Sequence, residues 1–273
     1  MKKLLLATDF SDACNHALDY SISLVHGSDL KIDLINVYDI PVVVSSSMPS
    51  RAIDGIMYEK AKAVESHLQE LNEKIPLENR GHFTAIYGSY AATEIAEFVK
   101  KKNHDLIVMG LRQKYGLLDK MMGTVTAHTI QLSTVPVLAI PSQAIFSPYR
   151  KILFPTVHSS LEDISETETK AIVWLLAFAK KFFNPSIHML HIEKDQSNEL
   201  LDVRYKGGKK VKLDLVISHA ETIEDGIINF YEKEHAELLA FYKPYRYFWE
   251  RLYHSSLIRK VLFHSRIPLL IFR

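Results

Sequence analysis

The sequence predicts an α/β protein of two tandem domains, each built on a mostly parallel sheet flanked by helices. Three observations predict it. Short apolar runs alternate with helical periods along the chain. Leu4, Leu5 and Leu6, like Leu106, Ile107 and Val108, form continuous rather than alternating runs, as strands covered on both faces require. The whole pattern then occurs a second time, and a chain of 273 residues is long enough for two ordinary domains.

In the first half, residues 3–7, 31–37, 82–87, 105–109 and 135–140 read as five strands. Cys14, Ala17, Leu18, Ser21, Ile22 and Val25 make the apolar stripe of a first helix, with Asp9 and Ser11 as its capping candidates. Met57, Ala61, Val64, Leu68 and Leu71 mark a second helix, and Ile95, Phe98 and Val99 a third. Lys100, Lys101 and Lys102 close that third helix, where cations favour the dipole.

The second half aligns with the first. KKLLLATDFS at 2–11 matches RKILFPTVHS at 150–159, with Lys3/Lys151, Leu5/Leu153, Thr8/Thr156 and Ser11/Ser159 identical. Residues 187–192 match 32–37 at an offset of 155. Later segments match at 132, pairing Ile95 with Ile227, Phe98 with Phe230, Leu106 with Leu238, Ser133 with Ser265 and Pro136 with Pro268. The second half is therefore 23 residues shorter between its second and third strands, where the Met57–Leu71 helix lies in the first. It is expected to lack most of that helix and to continue with a strand through Val211, Leu213, Leu215 and Ile217. Pro141, Ser142, Ser147 and Pro148 mark the connection, giving domains 1–145 and 149–273.

Composition narrows the function. A hydrophobic content of 47% with 24% charged residues is that of a globular protein, and a net charge of +1 gives no global case for nucleic acid or an anionic membrane. Asp9 and Asp12 come too early for a signal-peptide core, and no apolar stretch nears the roughly 20 residues of a membrane span. A cytoplasmic protein is expected. One cysteine, Cys14, forbids an internal disulfide and falls on the first helix's apolar stripe. Among thirteen histidines, His188 and His191 fall on opposite faces of a strand, and His254 and His264 lack partners at ligand spacing, so no metal is expected. There is no GxxxxGK[ST], HxGH or SGGxDS-type loop and no acid–base pair at recognisable spacing, so no enzyme is expected either.

The segment MGLRQKYGLLDKMMGT at 109–124 carries the functional signal. Gly110 and Gly123 bracket a loop holding Arg112 and Lys114, after a strand and before a helix. Glycine lets backbone N–H groups approach an anion, and a helix start offers unpaired donors. With ATDFS at 7–11, INVYD at 35–39 and TVPVLAIP at 134–141, this loop resembles the universal stress protein family in a tandem two-domain form. The family's nucleotide-binding loop has three glycines; here the spacing is kept, with Gln113 in place of the second.

The resemblance implies Rossmann-like domains of the adenine nucleotide alpha hydrolase type, each with a five-stranded sheet, and ATP or AMP bound by domain one. Ala7, Thr8, Asp9 and Val37 would hold the adenosine end, and Met109 and Gly110 would lie under the ribose. Arg112 and Gln113 sit in the loop, where Gln113 either crowds it or replaces a backbone donor. Gly123, Thr124 and Val125 would donate to phosphates. The final strands, 135–140 and 267–272, are implied to pair as an intramolecular pseudo-dimer, with a homodimer also open. In the second half Asp9 is matched by Val157, Gly110 by Tyr242, Gln113 by Tyr245 and Gly123 by Ser255. Its loop, FYKPYRYFWERLYHSS at 241–256, reads as an aromatic plug, or as a surface of Tyr242, Tyr245, Arg246, Tyr247, Trp249 and Arg251 for a partner. The alternatives to a nucleotide sensor are a nucleotide-free interaction module, acting through that surface or the loop 42–57, and a slow ATPase or autophosphorylating protein with Thr124 or Thr126 as acceptor.

Overall fold

The computed structural model describes residues 1–40, 50–111, 124–160, 162, 164–194, 203–206, 213–242 and 265–272. They form two compact units, one of residues 1–111 and 124–137, the other from residue 138 onward.

The first unit runs β1 (Lys3–Ala7), α1 (Asp12–Val25), β2 (Lys31–Tyr38), α2 (Ser50–Lys74), β3 (Arg80–Tyr87), α3 (Ala91–Lys102), β4 (Leu106–Leu111) and α4 (Thr124–Leu132). Its strands lie in the order β3-β2-β1-β4, all parallel. Leu4, Leu5, Leu6, Leu106, Ile107 and Val108 are fully buried, which accounts for their uninterrupted apolar run. Val64, Leu68 and Leu71 are the buried part of the α2 stripe, whereas Met57 and Ala61, nearer its start, are only half-buried.

Two polar residues interrupt the apolar strand β2, and both are tied down. Asp33 lies where the β2–β3 register shifts between Ile32 and Leu34. Its Oδ1 accepts the His82 backbone N–H at 2.7 Å, so a carboxylate takes the place of a ladder carbonyl for the edge strand. Its Oδ2 pairs with His104 Nε2 at 3.0 Å, and the His104 ring stacks on Phe98. A Cβ at Gly81 would collide with Asp33 Oδ1, so only glycine fits beside the staple. Burial raises the Asp33 carboxyl's pKa, but the bonds from His104 and the His82 N–H outweigh that and leave it below the usual carboxylate range.

The second unit holds β5 (Val137–Pro141), β6 (Lys151–Thr156), α5 (Glu166–Lys181), β7 (Ser186–Lys194), β8 (Val203–Lys206), β9 (Leu213–Ala220), α6 (Ile223–Glu234), β10 (Leu238–Tyr242) and β11 (Leu269–Phe272). Its strand order is β5-β11-β10-β6-β7-β9-β8. β5 is the strand expected to end the first half, grouped here with the second unit, and β8 is an addition to the five strands expected of the second half. It runs antiparallel to β9 and occupies the stretch where the first half carries α2. The sequence holds a signal for it: Val203 and Tyr205 alternate with charged residues, and Gly207 and Gly208 come next. Val211 lies outside the described residues.

The repeat reaches down to single hydrogen bonds. Asp105 accepts the Lys2 and Lys3 N–H groups, and Glu237, 132 residues later, accepts those of Arg150 and Lys151. Ser133 Oγ donates to the Val135 carbonyl and Ser265 Oγ to that of Ile267. Asn103 and His235 end their helices in the left-handed conformation. The helix starts differ. Ser165 caps α5 by accepting the Glu168 N–H, so the counterpart of Ser11 at a helix start is Ser165 rather than the identical Ser159. Ser11 occupies the N-cap position of α1, yet its side chain makes no cap bond. Asp9 Oδ1 accepts the Ser11 N–H at 3.1 Å, closing a turn just before the helix.

Asp33→Asn is expected to destabilise the protein at pH 7 by about 1.5–3 kcal/mol, the worth of a hydrogen bond to a charged group. Because the native carboxyl is depressed, its contribution is full above the unfolded value of about 3.9 and fades as pH falls through the native one. Urea unfolding of both proteins at pH 7 and pH 3 should show the gap narrowing; a constant gap would assign the loss to packing.

Candidate functional site

In open parallel sheets, ligands sit beyond the carboxyl ends of the strands. In the first unit this edge is set by β1, which lies between β2 and β4 with Ala7 opposite Ile35 on one side and Met109 on the other. Ala7 and Met109 are buried beneath it. Val37, two residues past Ile35, is half-buried, and Asp9 is exposed. Thus Ala7, Thr8, Asp9, Val37, Met109 and Gly110 converge at the ends of three adjacent strands. Arg112, Gln113 and Gly123 lie outside the described residues, so the proposed phosphate half of the loop is not part of this geometry. Thr124 begins α4, and Val125 is exposed on that helix. Thr126, weighed as a phosphoryl acceptor, is buried.

Gly110 has a structural reason of its own. A Cβ there would collide with the Ala13 carbonyl oxygen and stand 2.9 Å from the Cys14 nitrogen. The first turn of α1 therefore rests on the bare backbone of β4, a close approach that only glycine permits. Cys14, expected in the core, turns its thiol to the edge and donates to Asp9 Oδ1 at 3.2 Å. Burial and the neighbouring Asp9 charge push that thiol up, despite hydrogen bonds that act the other way, so it is no activated nucleophile.

The β1–α1 turn is held by several hydrogen bonds. The Thr8 N–H donates to the Ile35 carbonyl, and Thr8 Oγ1 accepts the Phe10 N–H at 3.0 Å. The buried Asn36 donates through Nδ2 to the Thr8 carbonyl at 2.8 Å. Phe10 has φ 63°, a left-handed conformation rare for an aromatic residue, and its ring meets His67 of α2 at 5.2 Å. Asn36 and Phe10 were absent from the sequence-based site. The signal for Asn36 was a polar residue inside an apolar strand, which burial obliges to find a partner.

Beside this edge, Tyr90, Val125, His128 and Leu132 line a groove of about 350 Å³ between the start of α3 and α4. Among the described residues, no three His, Cys, Asp or Glu side chains are placed to hold a metal, and no helix is long and apolar enough to cross a membrane.

The second unit's corresponding edge is built differently. Tyr242 occupies the place of Gly110 and packs its ring against Phe272, which stacks on Trp174 at 4.9 Å. Burial and the charge of Glu168 push the Tyr242 hydroxyl up. Val157 replaces Asp9 and is exposed. Nine residues rather than four separate β6 from α5, compared with β1 and α1, and His158 in that longer link pairs with Glu168 at 2.5 Å. The rest of the aromatic segment, 243–256, lies outside the described residues.

Fold and edge define an open parallel α/β protein with polar groups and bare backbone gathered at the carboxyl ends of its first sheet. The chain belongs to the universal stress protein family, whose sequence profile matches residues 1–141. It is 33% identical over 144 residues to universal stress protein YxiE of Bacillus subtilis strain 168, covering 50% of this chain and 97% of that one. It is 30% identical over 145 residues to a universal stress protein of Methanocaldococcus jannaschii, covering 51% and 81%. The fold of a universal stress protein from Archaeoglobus fulgidus DSM 4304 superposes with a TM-score of 0.71 at 20% identity, covering 99% of this chain and 96% of that one.

Gly110→Ala is expected to displace the first turn of α1 and to cost about 1–3 kcal/mol, the range for overpacking. Thermal unfolding measures it. A wild-type midpoint would show that the close approach yields easily.

Proposed function

We propose that the first unit binds an adenine nucleotide, ATP or AMP, at its carboxyl edge, as a sensor or stabilising ligand in a stress response. The observation that carries this reading is the convergence of Thr8, Asp9, Val37, Met109 and Gly110 at the ends of three neighbouring strands, around a turn fixed in advance. The residues suit an adenosine. Val37 and Met109 offer apolar contact, and Asp9, exposed at the edge, offers a carboxylate. Phosphates would fall to Gly123, Thr124 and Val125 at the start of α4. The reading is of a binding protein rather than an enzyme, with the second unit, its Gly110 position filled by Tyr242, completing a pseudo-dimer. The adjacency of β5 and β11 in the second unit's strand order supports treating the final strands as a paired seam.

Calorimetric titration with ATP, ADP and AMP tests the nucleotide reading. Heat of binding is expected, with a rise in unfolding temperature equivalent to about 2.7 kcal/mol at a hundredfold excess over Kd. Gly123→Val should abolish both, while Tyr242→Ala should leave them unchanged. Absence of heat and of any thermal shift in the wild-type protein would remove the proposal.

A further inference from the structure

We propose that Asn36 is a positioning residue for this site: its amide locks the Thr8–Ser11 turn, with Phe10 left-handed, and so aims Asp9 at the ligand. The assignment rests on the nucleotide reading for the ligand's identity, but its geometry is independent of it. Asn36 is 6% exposed, and among the described residues its side chain makes one hydrogen bond, from Nδ2 to the Thr8 carbonyl at 2.8 Å. That bond fixes the peptide joining Thr8 to Asp9. The Phe10 N–H to Thr8 Oγ1 and the Ser11 N–H to Asp9 Oδ1 then close the turn on either side. A left-handed phenylalanine persists only where its surroundings over-determine it, and such strain gathers at ligand clamps. No glycine relieves it here, so the restraints must hold it.

The repeat supplies a natural comparison. His191 takes the place of Asn36 and donates through Nδ1 to the Thr156 carbonyl at 3.3 Å, while the His158 N–H donates to Thr156 Oγ1 at 3.2 Å. The strut therefore accepts either side chain. His158, in the place of Phe10, is not left-handed, and Val157 stands in for the aspartate. The strut persists in both halves, whereas the strained turn and its carboxylate are joined to it only in the first.

The experiment is a double-substitution cycle on the full chain, read by AMP and ATP affinity and by amide exchange of the nucleotide-free protein. Asn36→Leu should weaken both nucleotides about tenfold, the loss of roughly one strained conformer's restraint. Asn36→His should retain affinity within about threefold, since the second half uses that side chain. In a Phe10→Gly background, where the left-handed turn costs nothing, Asn36→Leu should have almost no further effect. The Phe10 and Ser11 amides should exchange faster in Asn36→Leu and not in Asn36→His; Asn36→Ala serves if leucine prevents folding. Additive losses in the cycle, or unchanged exchange at both amides, would overturn the assignment. A wild-type protein that binds neither nucleotide, yet shows the expected exchange pattern, would overturn the nucleotide reading and leave the turn assignment standing.

Discussion

The carboxyl edge of the first unit depends on one close approach, the first turn of α1 lying on the backbone of β4 at Gly110. That contact sets where α1 begins and brings Cys14 within hydrogen-bonding distance of Asp9. It leaves the β1–α1 link only four residues, Thr8 to Ser11, in which to reverse direction. So short a link needs an unusual backbone, and Phe10 supplies it. A single missing side chain on one strand thus fixes the shape of a turn on another.

In the second unit that constraint is lifted. Tyr242 cannot admit a helix backbone at the distance Gly110 allows, and the link before α5 is correspondingly longer. The ring then joins Phe272, Trp174 and Phe178 in a continuous aromatic packing that has no counterpart among the described residues of the first sheet. Away from this edge the two halves stay alike. Their acidic residues still receive the first strand's amides, and their serines still brace the entry to the final strand.

Much of this was legible in the sequence because it rests on side-chain patterning. Buried parallel strands announce themselves through uninterrupted apolar runs, so β1 and β4 could be placed within two residues. The 132-residue offset was readable because Ser133 and Ser265 do the same local work. Less legible were features that local patterning does not encode. Ser11 has the chemistry of a helix cap and stands at the N-cap, yet its side chain makes no cap bond. β8 was obscured because a shortened connection was read only as a missing helix. Asp33 and Asn36 drew no expectation, because their partners lie 71 and 28 residues away in the chain, a separation no local pattern encodes.

The antiparallel β8 bears on how each half assembles. Parallel neighbours must be joined by a long crossover, and in the first unit β2 reaches β3 only through α2. β8 and β9 are separated by six residues, so that rim of the second sheet can form from adjacent chain. Closing a short loop costs little entropy and proceeds quickly. The carboxy-terminal half therefore has a local nucleation point that its twin lacks, and its outer rim is expected to order early along the folding route.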